Sequence, residues 1–186
     1  RFLEDPNHFM KGPWVSIDLP FKSAATATGG FEQPFPEIPL KFAPYQHQIS
    51  AFNRLTGSNP RSTLIATGTG SGKTESYLWP ILDYCRQNRE APGIKAILIF
   101  PMNALATDQA RRVAKAITSI PSLTGVTAGI YADAEPKSAT FEVTEESIIT
   151  SRAAMRKNPP DILLTNYKML DYLLLRGDDL PLWSAN

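Results

Sequence analysis

Several routes to a function are closed by what this sequence lacks. It has one cysteine, Cys85, in 186 residues, which excludes an internal disulfide and a cysteine-built zinc site. Its place among apolar residues predicts a buried thiol rather than a reactive one. Net charge is almost absent: 19 Lys and Arg against 18 Asp and Glu leave +1. No global field gathers nucleic acid, so any such binding has to rest on local contacts. No apolar run approaches the roughly 20 residues a membrane-spanning helix needs, and no secretory signal is visible. A reducing, cytoplasmic setting is the expectation. There is no internal repeat and no low-complexity tract. The chain opens on Arg1 rather than Met, which suggests a trimmed or partial polypeptide.

In bulk the chain is an ordinary globular one, 42% hydrophobic and 20% charged, long enough for one domain with a true core and an extra segment. Residues 1–44 are rich in proline (Pro13, Pro20, Pro34, Pro36, Pro39, Pro44) and aromatics. They read as an N-terminal arm, with a short strand at Trp14–Leu19 and a loop at Ala24–Gly30. Basic residues do not interleave densely with its aromatics, so these are expected to serve as packing anchors rather than a base-stacking platform.

From residue 45 strands and helices alternate. The pattern predicts a helix at Gln46–Leu55, a strand at Thr63–Ala66 and a helix at Thr74–Asn88 kinked by Pro80. A strand at Ala96–Phe100 and a helix at Ala104–Ile117 follow, the latter burying Ala106, Ala110, Val113 and Ile117. Strands at Val126–Ile130 and Asp161–Leu164 and a helix at Tyr167–Leu175 complete the series. Such alternation points to an α/β fold, mainly a parallel sheet with helices on both faces.

The most telling stretch is Ala66-Thr67-Gly68-Thr69-Gly70-Ser71-Gly72-Lys73-Thr74-Glu75. Glycines allow the tight turn and close approach that let backbone amides ring a phosphate, and the helix that follows adds the positive end of its dipole. Lys73 would reach the β/γ-phosphates and the Thr74 hydroxyl would coordinate Mg²⁺. The strict template G-x-x-x-x-G-K-[ST] is broken at one place, where Thr67 stands for the first glycine. The implied ligand is a nucleoside triphosphate with Mg²⁺.

Three further stretches narrow this. Tyr45-Gln46-His47-Gln48 lies about 25 residues before Lys73; a glutamine amide offers donor and acceptor together, which suits the edge of adenine, and an aromatic can stack on the base. Pro101-Met102-Asn103-Ala104 ends one strand and opens a helix at the carboxyl edge of the sheet, where open α/β sheets bind ligands. Thr165-Asn166-Tyr167 repeats that geometry. Two such sites would follow a sugar–phosphate backbone without reading sequence.

Tyr45–Gln48, Ala66–Glu75, Pro101–Gln109 and Asp161–Leu170 together resemble the Q motif and motifs I, Ia and Ib of superfamily 2 DEAD/DEAH-box-like helicases, over about 125 of the 186 residues. The wording is similar to large bacterial helicases of DNA repair and phage defence, the DISARM type among them. The resemblance implies an ATP-driven motor with two RecA-like lobes, of which residues 45–186 are most of the first. It would place Tyr45, Gln48, Thr67, Gly68, Thr69, Gly70, Ser71, Gly72, Lys73, Thr74 and Glu75 around ATP, with Lys73 and Thr74 acting on phosphates and Mg²⁺. Pro101, Met102, Asn103, Ala104, Thr165 and Asn166 would face nucleic acid, DNA before RNA. The implied partners are the second lobe and subunits of a defence or repair complex.

The family's Asp-Glu box is missing. Asp178-Asp179 is the nearest candidate, but the leucines before it keep helical spacing and Gly177 reads as a helix stop; the acid box is expected beyond Asn186. Lys137-Ser138-Ala139-Thr140 mimics a helicase motif but precedes the place where the acid should fall. The isolated chain is therefore expected to cradle ATP without hydrolysing it. Two other readings stay open: another P-loop NTPase, although the guanine signature Asn-Lys-x-Asp has no counterpart beyond Asn166-Tyr167-Lys168, and a nucleotide-binding scaffold lobe without motor activity.

Overall fold

A computed structural model describes residues 21–25, 30–132, 136 and 138–184. The strand expected at Trp14–Leu19, part of the loop at Ala24–Gly30, and Lys137 lie outside the described residues. Three strands, β1 (Ala96–Phe100), β2 (Ala128–Tyr131) and β3 (Ile162–Asn166), form one sheet in the order β1-β3-β2. Both pairings are parallel, with Leu98 opposite Leu164 and Tyr131 opposite Thr165. The central strand β3 is buried along its whole length, as expected of an unbroken apolar run covered on both faces.

Helices cover both faces. On one side α1 (Gln46–Leu55), α2 (Lys73–Gln87) and α3 (Asn103–Ser119) supply Phe52, Leu78, Leu82, Cys85, Ala106, Ala110, Val113 and Ile117 to the main core with Leu98, Phe100 and Leu164. On the other, α4 (Arg152–Lys157) and α5 (Tyr167–Leu175) pack Met155, Met169 and Leu173 onto Leu163 and Tyr131, helped by Leu182. Gly129 permits α4 to lie so close: a Cβ there would stand 2.4 Å from the Met155 sulfur. The Pro80 interruption is absorbed, and α2 continues through it with Pro80 buried. Phe35 and Ile38, from the arm, enter the main core, Phe35 meeting Phe52 edge-on at 5.0 Å.

Asp161 ties the amino ends of the strands together. Its carboxylate accepts from Lys95 Nζ at 2.6 Å and from the Thr127 amide and hydroxyl at 2.6 and 2.9 Å, while its carbonyl accepts from the Lys95 and Ala96 amides. It therefore precedes β3 rather than starting it. The second strand likewise begins two residues later than the pattern suggests, because Val126 closes a turn onto Leu123.

One expectation fails. Thr63–Ala66 is not a strand: the segment joins no ladder among the described residues, and Leu64 is 91% exposed. A strand exists only with a hydrogen-bonded neighbour, and none of the described residues supplies one. Among the described residues the outer edge of β1 is also unpaired, with Ile97 and Ile99 on its second face 40% and 51% exposed. The short helix α4, capped by the Ser151 hydroxyl accepting from the Ala154 amide, and a 3-10 turn at Gly177–Leu182 were not foreseen.

Candidate nucleotide and nucleic-acid sites

The glycine loop runs from Thr67 into α2, which begins at Lys73 as the motif requires. Gly70 and Gly72 hold φ of 74° and 73°, the left-handed region that other residues rarely tolerate. A Cβ on Gly72 would also fall 2.5 Å from Gln48 Nε2. Thr67, in place of the usual glycine, uses its hydroxyl: Oγ1 lies 2.6 Å from Ser71 Oγ, closing the loop at its base. Lys73 Nζ donates to the carbonyls of Thr67 and Gly68 at 2.8 and 2.7 Å. The ammonium is thus inside the loop, held by carbonyls that a phosphate oxygen can replace. Gly68, Thr69 and Gly70 are exposed; Thr74 is half-buried in the first turn of α2, and Glu75 beside it pairs with Arg112 of α3.

The first turn of α1 braces this loop. Gln48 accepts from the Tyr45 amide through Oε1 at 2.8 Å and donates from Nε2 to the Gly72 carbonyl at 2.9 Å. Both ends of its amide are engaged within the protein, leaving one N–H and one lone pair for a base. Gln46 faces away, toward the Ser23 carbonyl. His47, which the sequence did not mark, has Nε2 2.9 Å from the Ser71 carbonyl. A carbonyl can only accept, so this bond requires the proton on Nε2. The His47 ring stacks on Tyr45 and meets Phe21 edge-on, with centroids at 5.7 and 5.6 Å.

A cavity of about 940 Å³ opens beside the loop, bounded by residues 70–75, by Pro39–Tyr45, and by Trp79, Arg112 and Lys115. Its mixed walls, aromatic and basic with loop amides at one end, match the apolar body and charged tail of a nucleotide.

The carboxyl rim of the sheet brings the other two stretches together. Pro101, Met102 and Ala104 are exposed at the start of α3. Asn166 Nδ2 donates to Asn103 Oδ1 at 2.6 Å, and Asn166 Oδ1 caps α5 by accepting from the Met169 amide at 2.8 Å. Thr165 does not present its hydroxyl to the surface as a backbone contact would need. It is 1% exposed and donates to the Tyr131 carbonyl at 2.9 Å, a tie between β3 and β2. Arg152, unmarked by the sequence, donates to the Ala132 carbonyl at 2.7 Å and lies 4.7 Å above the Tyr131 ring. It adds a cation just past the end of β2.

The acidic pair is not a catalytic box. Asp178 is exposed in the 3-10 turn, and Asp179 is fully buried, accepting from Tyr131 Oη and Arg156 Nε at 2.7 Å each. Burial and the bond to Asp179 raise the Tyr131 phenol above its usual pKa, and Arg156's own bond to Asp179 raises the guanidinium. No cluster of three metal-ligating residues occurs among the described residues, and no helix of the described residues is long and apolar enough to cross a membrane.

Residues 45–183 match the DEAD/DEAH box helicase family. The chain belongs to that family. It is 43% identical over 83 residues to Druantia protein DruE of Escherichia coli, covering 41% of this chain and 4% of that protein. To the Lhr helicase/probable uracil glycosylase of Mycolicibacterium smegmatis it is 29% identical over 142 residues, covering 71% of this chain and 8% of the relative. The structure of the DUF1998 helicase MrfA bound to DNA and AMPPNP superposes with a TM-score of 0.60 at 24% identity, over 88% of this chain and 21% of the other. That likeness establishes the RecA-like α/β fold. The chain thus spans a small part of the relatives it matches, 4% and 8% of the first two.

Proposed function

We propose that this chain is the ATP-binding first lobe, residues 45–186, of an ATP-dependent DNA helicase or translocase, with residues 1–44 as an N-terminal arm. The observation that carries this is the position of Lys73, whose ammonium is held by the Thr67 and Gly68 carbonyls and which lines a nucleotide-sized cavity. On ATP binding Lys73 transfers from Thr67 and Gly68 to the β/γ-phosphates, while the loop amides and the α2 dipole hold the rest of the charge. Tyr45 and Gln48 face the base. Thr74 is the residue placed to ligate Mg²⁺, an ion that suits one or two protein oxygens plus phosphates and would neutralise charge on the transferring group. The donor set is incomplete without a carboxylate, and Asp178 and Asp179 do not supply it. Among the described residues the edge of β1 and the Thr63–Ala66 segment have no strand partner, which leaves room beside β1 for an acid-bearing strand.

DNA as the track is supported by the DNA-bound neighbour and by the exposed Pro101–Ala104 rim beside Asn166. A cytoplasmic repair or phage-defence complex is the setting that the motif resemblance favours. The test is phosphate release by the full-length protein with and without DNA. DNA-stimulated ATP turnover, lost in Lys73→Ala, is expected; a preference for GTP, or turnover indifferent to Lys73, overturns the proposal. The isolated chain should bind ATP without turning it over.

A further inference from the structure

We infer that His47 is a positioning residue for the phosphate loop, one that aims the Gly72 amide hydrogen at the nucleotide's β-phosphate. This rests on the nucleotide reading above and goes beyond it by assigning a residue outside the glycine motif.

The reasoning starts from the peptide plane. No cis peptide occurs among the described residues, and in a trans peptide the carbonyl oxygen and the next amide hydrogen point in opposite directions. His47 Nε2 holds the Ser71 carbonyl at 2.9 Å, so the Gly72 N–H is turned to the opposite side of the loop, away from the first turn of α1. Gln48 does the same one residue later, holding the Gly72 carbonyl at 2.9 Å and turning the Lys73 N–H outward from the start of α2. Two successive amides are thus fixed by two successive side chains. Glycine at 72 makes this control necessary, since without a Cβ that peptide can rotate through states closed to other residues.

The imidazole is itself held. Tyr45 stacks on one face at an interplanar angle of 18°, and Phe21 meets it edge-on. Phe21 also lies over Gly68, where a Cβ would stand in ordinary van der Waals contact with the ring at 3.8 Å. The donor is therefore rigid, and a preorganised amide loses little entropy when phosphate arrives.

Steady-state ATP turnover and competition binding of ADP and AMP in the full-length protein test this. His47→Phe keeps the ring packing and removes the donor. It should raise KM for ATP about five- to tenfold, the scale of one neutral hydrogen bond, with kcat within about twofold because ground and transition states lose the contact alike. The ADP-to-AMP affinity ratio should fall by the same factor, since AMP has no β-phosphate. His47→Gln, whose amide nitrogen occupies the reach of Nε2, should restore both values to within about twofold. His47→Asn, whose nitrogen stops at the reach of Nδ1, should not, and it serves if the Phe variant fails to fold. A His47→Phe or His47→Asn protein with wild-type KM and ADP-to-AMP ratio overturns the inference, as does equal loss in the Gln and Phe variants. Nucleotide binding untouched by Lys73→Ala would instead remove the underlying reading.

Discussion

Lys73 Nζ donates to the Thr67 carbonyl at 2.8 Å and to the neighbouring Gly68 carbonyl at 2.7 Å, so the phosphate loop is closed on its own lysine. A cation there offsets the dipoles of two adjacent loop carbonyls, those of Thr67 and Gly68. It also means that nucleotide binding exchanges one set of acceptors for a more negative one. Charge-assisted hydrogen bonds contribute about 1.5–3 kcal/mol each, so Lys73→Ala should weaken ATP binding by on the order of 100-fold or more. Thermal stability should move little, because the side chain contacts only loop carbonyls near the surface. Calorimetric titration of ATP beside a melting curve checks both; a variant that melts much earlier would mean that the lysine is mainly a structural strut.

Thr165 separates a backbone contact from a structural tie. Its hydroxyl is buried against the Tyr131 carbonyl. Thr165→Val keeps the shape and removes the donor, leaving a buried carbonyl short of a partner at a cost of about 1–2 kcal/mol. Denaturant unfolding should show that loss while DNA affinity stays within about twofold. Unchanged stability with a large loss of DNA binding would restore Thr165 to the nucleic-acid interface.

The sequence revealed elements whose signal is local. Tyr167–Leu175 matches α5 residue for residue, and the buried face of α3 contains Ala106, Ala110, Val113 and Ile117 as their spacing requires, because helical periodicity does not depend on neighbours. Thr63–Ala66 carries the same strand-like composition as β1, yet strand formation is decided by what lies alongside, and nothing in four residues encodes that. The loop was legible from its glycines and Lys73. Its braces were less so: Gln48 was found through its amide chemistry, but His47 meets Ser71 across 24 positions, a relation set by how α1 docks on α2. Asp179 looked like half of an acidic pair because its burial against Tyr131 and Arg156 arises from three separate elements.

Asp179 is accordingly expected to matter for stability and Asp178 not to. Asp179 is fully buried, with Arg156 at 2.7 Å and Arg176 at 3.6 Å, and its Oδ2 has no hydrogen-bond partner among the described residues. Breaking a buried pair by altering one partner typically costs about 3–5 kcal/mol. Because Arg156 and Arg176 keep 29% and 43% of their side chains exposed, about 2 kcal/mol is the better expectation for Asp179→Asn. Asp178→Asn, at an exposed position, should leave both the unfolding midpoint and DNA-stimulated phosphate release unchanged. A large loss of turnover in Asp178→Asn at normal stability would make it the missing acid after all.

Cys85 sits at 0% exposure in the main core, where burial, reinforced by the negative charge of Asp161, pushes its thiol from 9.0 up to about 12. The sign of the consequence follows from proton counting. Above pH 9 the unfolded chain releases the thiol proton while the native chain keeps it, so the native state binds more protons and stability falls as pH rises. This contribution is absent below pH 9 and grows at up to about 1.4 kcal/mol per pH unit between there and pH 12. Cys85→Ala removes the ionisation and leaves a small cavity, so the variant should be less stable than the wild type at pH 7. The gap should narrow progressively at pH 10 and 10.5 in urea titrations run side by side. A gap that stays constant over that range would show that the thiolate is tolerated in place, and a native chain alkylated by iodoacetamide at pH 8 as fast as an unfolded one would show that the core around Cys85 opens readily.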